Sequence, residues 1–159
     1  MIVVSDTSPI SNLLKIGRID LLRHLYQTVV IPAAVSREIE FLEENRRLIA
    51  EIEWIRVVEL KNRELLTLLD GDLDSGEAEA IALSMELKAD VLLIDEVDGR
   101  REAKNHGLEI TGLVGVLLEA KKAGLIGKIR PEIENLATKA NFWMSPQLID
   151  LALDLASEK

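Results

Sequence analysis

The chain has 159 residues, 48% of them hydrophobic and 30% charged, with a formal net charge of −9 and a pI near 4.8. That length can bury one full-sized core, so a single domain over 1–159 is expected, with 128–159 as a C-terminal helical extension. The absence of cysteine excludes disulfides, thiolate metal ligands and cysteine nucleophiles, and two isolated histidines, His24 and His106, cannot make a His-rich zinc site, so a metal must be held by oxygen. No window approaches the roughly 18 consecutive apolar residues of a membrane span. The start, MIVVSDTSP, lacks a basic segment ahead of a long apolar one, and a soluble, cytoplasmic protein is expected. The acidic balance argues against non-specific binding to nucleic acid, which relies on clustered cations. A local basic rim of Arg100, Arg101, Lys104 and His106, with Lys121 and Lys122, reads either as a phosphate-contacting edge or as a solvated helix face.

In chain order, IVVS at 2–5 reads as a strand, and SPISNLLKIG at 8–17 as a helix with Ser8 as N-cap, Pro9 at the first helical position and Gly17 as a stop. A short helix follows from Asp20 to His24, then a strand, TVVI, at 28–31. Pro32 opens a helix that places Val35, Ile39 and Phe41 or Leu42 at helical spacing and runs to about Glu44. Residues 54–58 read as a strand, 62–69 as a helix, and DGDLDSG at 70–76 as a loop. The Ala-, Glu- and Leu-rich stretch 76–88 is a helix, and VLLI at 91–94 is the most apolar strand, as a central parallel strand should be. A helix at 98–107, a strand at 108–111 and a helix at 112–126 follow, and two more helices start near Pro131 and Pro146.

Strands separated by helices of this length imply right-handed crossovers and a mainly parallel sheet covered on both faces, a three-layer α/β/α domain. Ligand sites in such sheets form outside the carboxyl ends of the strands. Two apolar runs, IVVSD and VLLID, end on aspartate there, at Asp6 and Asp95. A carboxylate at the end of a buried strand is costly unless compensated. Glu38, one and a half turns into its helix, and Glu77, in the first turn of the helix leading to VLLID, can reach the same edge. Each has a structural alternative. Asp6 can cap the turn at Thr7 and Ser8, Glu38 can be a solvated polar residue beside Arg37 and Glu40, and Asp74 with Glu77 matches a capping box. Glu79 competes with Glu77, since about 200° of helix separates them and only one can face the sheet edge.

Two carboxylates about 4 Å apart repel by roughly 4 kcal/mol at an effective dielectric near 20, so several cannot all ionise together without a counter-charge. A divalent cation is the economical solution, and hard oxygen ligands favour Mg²⁺ or Mn²⁺. Such a site can activate water and stabilise a phosphodiester under in-line attack without histidine or cysteine.

The stretches IVVSDTSPISNLLKIG, VVIPAAVSREI, DSGEAEAIALSMELKADVLLIDE and GLEITGLVGVLLEAKKAGLI together resemble a PIN-domain protein of the kind that includes VapC-type toxin ribonucleases, over roughly residues 1 to 127. The resemblance implies an α/β/α nuclease domain that cuts single-stranded RNA with Mg²⁺ or Mn²⁺. Carried onto this chain, its acidic positions match Asp6, Glu38 and Asp95. The third, commonly aspartate in the family, is best matched by Glu77, with Glu79 as the alternative. Asp98 is an auxiliary metal ligand on this reading, and Thr7 or Ser8 orients a carboxylate or a water.

Rival motifs fit less well. Asp70, Asp72 and Asp74 begin like a calcium loop, but Ser75 stands where glycine is required and Ile81 where a bidentate glutamate is required. A haloacid-dehalogenase-like phosphatase wants an aspartate at Ser8, and a phosphoreceiver domain wants a lysine at the end of the LEIT strand, where Thr111 and Gly112 stand. Two function classes remain: a metal-dependent endoribonuclease, as the toxin of a toxin–antitoxin pair, and a catalytically inactive interaction module. An antitoxin segment carrying arginine is the expected protein partner of an acidic cleft. Self-association as a homodimer is expected from the apolar faces of the C-terminal helices: Leu148, Leu151 and Leu155, with Phe142 and Trp143.

Overall fold

The computed structural model describes residues 1–42, 49 and 51–159. Its strands are β1 Val3–Ser5, β2 Val29–Ile31, β3 Ile55–Val57, β4 Val91–Leu93 and β5 Ile110–Thr111. They form one sheet, all neighbours parallel, in the order β3-β2-β1-β4-β5. The central strands β1 and β4 are covered on both faces, and Val3, Val4, Leu92 and Leu93 are at most 1% exposed. Uniformly apolar, β-branched runs are what such doubly covered parallel strands require.

The helices are α1 Thr7–Lys15, α2 Asp20–Tyr26, α3 Ala33–Phe41, α4 Ser75–Leu87, α5 Val97–Asn105, α6 Leu113–Lys122, α7 Arg130–Thr138 and α8 Pro146–Leu155, with a 3₁₀ turn at Arg63–Leu68. They flank the sheet in the expected three-layer α/β/α arrangement. Helix α4 packs on β1 and β4 and against α3 and α5, while α6 packs on β5, α2 and α8. Ile129, Ile133, Leu136, Ala152 and Leu153 from the C-terminal helices join the same buried cluster as the strands. No described helix is long and apolar enough to cross a membrane.

The local differences from the sequence expectation have physical reasons. Asp6, not Ser8, is the N-cap of α1: its backbone is extended at ψ 175° and the helix starts at Thr7. Pro9 therefore sits third in the helix, a place it tolerates because first-turn N–H groups have no intrahelical partner. The helix expected over 62–69 is a 3₁₀ turn capped by Asn62, whose side chain accepts from the Glu64 N–H. The expected end of the third helix near Glu44 lies outside the described residues. Gly17 does stop α1, at φ +70°, where a Cβ would be strained.

Sheet order fixes the functional edge. From β1 the chain moves to β2 and β3 on one side, then crosses back over β1 to reach β4 and β5 on the other. The connections diverge between β1 and β4, which makes their carboxyl ends the switch point where α/β sheets bind ligands. Register pairs Ser5 with Leu93, and the Asp6 N–H donates to the Leu93 carbonyl at 2.9 Å.

Candidate metal centre at the strand ends

Four chain segments deliver carboxylates to this switch point. Asp6 follows β1 directly, and Asp95 lies two residues beyond β4. Helix α3 leaves β2 at the carboxyl edge, so its second turn holds Glu38 close by. Helix α4 runs back toward the start of β4, so its N-terminus, with Asp74 and Glu77, opens at the same edge. Carboxylate oxygens of Asp6, Glu38 and Asp74 all lie within 4.8 Å of one another. A cleft of about 270 Å³ opens over them, lined also by Thr7, Ser8, Asn12 and Glu96.

Each carboxylate is held differently. Glu38 is oriented at both oxygens: Oε1 accepts from the Gly76 N–H at 3.0 Å, at the N-terminus of α4, and Oε2 accepts from the Thr7 hydroxyl. Asp74 and Glu77 form the capping box expected from their spacing, with the Glu77 N–H donating to Asp74 Oδ1 at 2.8 Å and the Asp74 N–H to Glu77 Oε1 at 3.4 Å. The box uses only one oxygen of Glu77, and its Oε2 is buried with no hydrogen-bond partner among the described residues. Asp95 is similarly half-satisfied: Oδ1 accepts from the Leu113 N–H at 2.9 Å, and Oδ2 is buried without a partner. Asp6, 3% exposed, makes no side-chain capping bond, and its Oδ1 is also buried and unpartnered.

These placements push protons onto the site. Burial raises Asp6 from 3.8 to about 7; the Thr7 N–H offsets part of this, and the charges of Asp74, Glu38 and Asp95 add to it. Burial likewise raises Glu77 from 4.5 to about 8, helped by Asp74 and Asp6. For Asp95 burial wins over the Leu113 N–H and the Arg100 charge, and its value rises from 3.8 to about 6. Such a cluster either holds protons near neutral pH or holds a cation in their place.

Glu79 points elsewhere. It is buried, accepts from the Ala34 N–H at 3.1 Å and pairs with Arg63 at 3.4 Å, so it caps α3 on the far side of α4. Asp98 pairs with Arg101 at 3.5 Å along the exposed side of α5 and is not gathered with the others. The basic rim is partly consumed: Lys121 bonds Glu158 and the Ala156 carbonyl, His106 contacts Glu102, and Arg100 donates to the Ile94 carbonyl.

The sequence reading missed two features. Asp74 was read as a cap and as part of a rejected calcium-like loop, although the helix that precedes a parallel strand must begin at the carboxyl edge, which was signal enough to place it. The second is steric. A Cβ on Gly76 would lie 2.5 Å from Glu38 Oε2, one on Gly99 would lie 2.7 Å from Glu77 Oε2, and one on Gly112 would lie 2.8 Å from Asp95 Oδ1. Three bare backbone positions thus leave room for three carboxylates, and no linear pattern marks them.

An open parallel sheet flanked by helices, with an acidic cluster at its switch point, defines an α/β/α domain whose strand ends gather oxygen donors that could hold a cation. A protein-family profile described as a PIN domain matches residues 2–158, and the chain belongs to that family. A solved domain of a functionally unknown protein from Methanocaldococcus jannaschii DSM 2661 is 26% identical, covers 70% of this chain and 89% of its own, and superposes with a TM-score of 0.45. Among curated proteins no significant relative of the chain is found. PIN domains are generally metal-dependent nucleases, and the residues present fit a divalent cation: the donors are all hard oxygens, and three buried oxygens, on Asp6, Glu77 and Asp95, have no hydrogen-bond partner among the described residues.

Proposed function

We propose that the protein is an Mg²⁺- or Mn²⁺-dependent endoribonuclease acting on single-stranded RNA, the VapC-type toxin of a toxin–antitoxin pair, working in the cytoplasm as a single domain extended by helices over 128–159. The observation that carries this reading is the set of unpartnered, buried carboxylate oxygens on Asp6, Glu77 and Asp95 beside the close trio Asp6, Glu38 and Asp74. Asp6, Glu38, Glu77 and Asp95 hold the ion, with Asp74 added by its place in the trio. When bound, the cation supplies Lewis-acid polarisation of a phosphodiester and lowers the pKa of an attacking water.

The remaining work falls to the chain itself. Thr7 and the Gly76 N–H fix the Glu38 carboxylate, and the Leu113 N–H fixes Asp95, so two ligands are oriented before anything binds. Asp74 and Glu77 orient each other through the capping box. Thr7 and Ser8 put hydroxyls on the cleft wall, where they position water or a phosphate oxygen. The rival reading, an inactive interaction module, draws on that same capping box, which accounts for half of Glu77 without catalysis. It leaves the free oxygens of Asp6, Glu77 and Asp95 without a reason.

The test is cleavage of a labelled single-stranded RNA with Mn²⁺ by wild type, Asp6→Asn and Asp95→Asn. Cleavage by wild type and its loss in both variants supports the nuclease; equal background activity in all three proteins ends it.

A further inference from the structure

Arg100 is treated differently from the other cations near the strand ends. Helix α5 carries it one turn after Glu96, and it lines a surface groove together with Asp95, Glu96, Thr111 and Gly112. One nitrogen, Nη1, donates to the Ile94 carbonyl at 2.8 Å, just past the end of β4. Its other N–H groups have no partner among the described residues, and neither Asp95 nor Glu96 is ion-paired with it there. Its neighbours are spent: Arg101 is exposed and pairs with Asp98, while Lys121 is taken by Glu158 and the Ala156 carbonyl.

The position of Arg100 is fixed from two sides. Gly112, the N-cap of α6, has no side chain, and a Cβ there would lie 2.8 Å from Asp95 Oδ1 and 2.9 Å from Arg100 Nη1. Carboxylate and guanidinium thus converge on one bare backbone position, and Asp95 Oδ1 is already bonded to the Leu113 N–H at 2.9 Å. A guanidinium tied to a neutral carbonyl keeps its full charge and most of its five-donor fork, whereas one tied to a carboxylate spends both. A half-buried, un-neutralised fork beside an edge that gathers hard oxygens suits an oxyanion that bridges the two, because a cation held by the carboxylates and the guanidinium attract the same anion.

We infer that Arg100 is a phosphate clamp: with Nη1 tied to Ile94, its free N–H groups hold a non-bridging oxygen of a phosphodiester on the Asp95 side of the cleft. The inference rests on the nuclease reading and deepens it by giving the substrate one fixed phosphate position. A contact to phosphate alone sets register on the strand and carries no base preference.

The RNA must stay uncut, so binding of a fluorescein-labelled oligouridylate is followed by anisotropy with Mn²⁺ in the Asp6→Asn background of the full chain. Adding Arg100→Gln, which keeps an N–H donor but loses the charge and the fork, should weaken binding about tenfold. The slope of log affinity against log salt should become shallower by about 0.7, the share of one phosphate contact on a single strand. Melting temperature should fall only modestly and Mn²⁺ affinity should hold, which separates a clamp from a pin on β4 and from a metal ligand. Arg100→Lys keeps the charge, so it should lose about threefold in affinity with an unchanged salt slope, and it carries the test if the glutamine variant does not fold. Arg101→Gln should have much the smaller effect on both quantities. Affinity and slope unchanged by Arg100→Gln, in a protein whose wild type cleaves RNA, overturn the clamp and leave the nuclease standing. A loss matched by Arg101→Gln overturns it in favour of diffuse charge, and no RNA binding by the parent ends it outright. The predicted losses in a protein whose wild type cuts no RNA support the phosphate site and end the nuclease.

Discussion

Buried carboxylates at the strand ends and buried carboxylates elsewhere in this molecule receive opposite treatment. Near the C-terminus, burial alone would push Glu158 up, yet the Ile129 N–H, the Lys121 ammonium and the Arg130 N–H outweigh it and hold it at about 2, below its ordinary 4.5. Glu102 is lowered too, first by the Asp70 N–H, then by Asn105 and His106. Both join distant segments and have their oxygens used. At the strand ends, Asp6, Glu77 and Asp95 are raised, and each keeps a buried oxygen that nothing answers. The chain can satisfy a buried carboxylate where the fold needs a pin, so leaving three under-satisfied at one sheet edge is a property of that edge. Glu132 marks the boundary case: one oxygen is unpartnered, but the other is ion-paired with Arg18 at 2.9 Å.

Removing a strand-end carboxylate should do the most damage to function. Asp6→Asn or Asp95→Asn should lower Mn²⁺-dependent RNA cleavage by about 100-fold or more. Neither should destabilise the metal-free fold, because each removes a poorly solvated charge. Thermal melting without metal reads that second part. A loss of melting temperature as large as that from a core truncation would mean the carboxylates are structural pins after all.

The contrast also has a sign in pH. Asp6, Glu77 and Asp95 bind their protons more tightly in the folded chain, with values of about 7, 8 and 6 against ordinary values of 3.8, 4.5 and 3.8. Across the window from about 4 to 8 the folded state therefore holds more protons than the unfolded, and metal-free stability from these groups falls as pH rises. Mn²⁺ should reverse the trend, because it competes with the same protons and binds better as they leave. Melting curves at pH 5 and pH 8, with and without Mn²⁺, read both signs. Matching slopes with and without the ion would remove the cation from the account.

Much of the site was legible in the sequence and its detail was not. Asp6 and Asp95 could be read because an apolar parallel strand that ends in a carboxylate contradicts its own burial, and the alternation of strands and helices puts strand ends on one edge. Glu77 was already preferred to Glu79 from the sequence, and what the sequence could not supply is the place of Glu79, which caps α3 at the Ala34 N–H, a contact 45 residues away in the chain. Asp74 was hidden by its own capping motif, which gave a sufficient local reason for its presence. Gly76, Gly99 and Gly112 were invisible because their role is the absence of a side chain next to residues of another segment. The three-layer fold followed from periodicity, but the position of β1 between β2 and β4 depends on a crossover that no local pattern encodes.

The three glycines beside the carboxylates allow a steric test of the site. Gly76→Ala places a methyl group within 2.5–2.8 Å of three atoms of the Glu38 carboxylate, which must rotate away from Thr7 and from the trio. Mn²⁺ affinity, by calorimetry, should fall about tenfold while the melting temperature drops only modestly. Gly99→Ala meets Glu77 Oε2 and the Ile94 side chain, both at 2.7 Å, and should do the same. Shortening the acid, Glu77→Asp in the Gly99→Ala background, should recover part of the affinity. No recovery would mean that the methyl acts through Ile94 packing and not through the carboxylate.

The smallest effect belongs to the satisfied region. Glu158→Gln keeps the shape of the side chain but loses the charge that draws on Ile129, Arg130 and Lys121. It should cost about 1 kcal/mol near neutral pH, roughly 2–4 °C in melting temperature for a chain of this size, with no change in Mn²⁺ affinity. Its pH dependence runs opposite to that of the site: the contribution is present above the ordinary 4.5 and is lost as pH falls toward about 2. The difference between wild type and Glu158→Gln should therefore close on acidification, just where the metal-free strand-end cluster is most comfortable. If it closed on raising the pH instead, the two regions would be governed by one kind of carboxylate, and the unanswered oxygens at the sheet edge would lose their meaning.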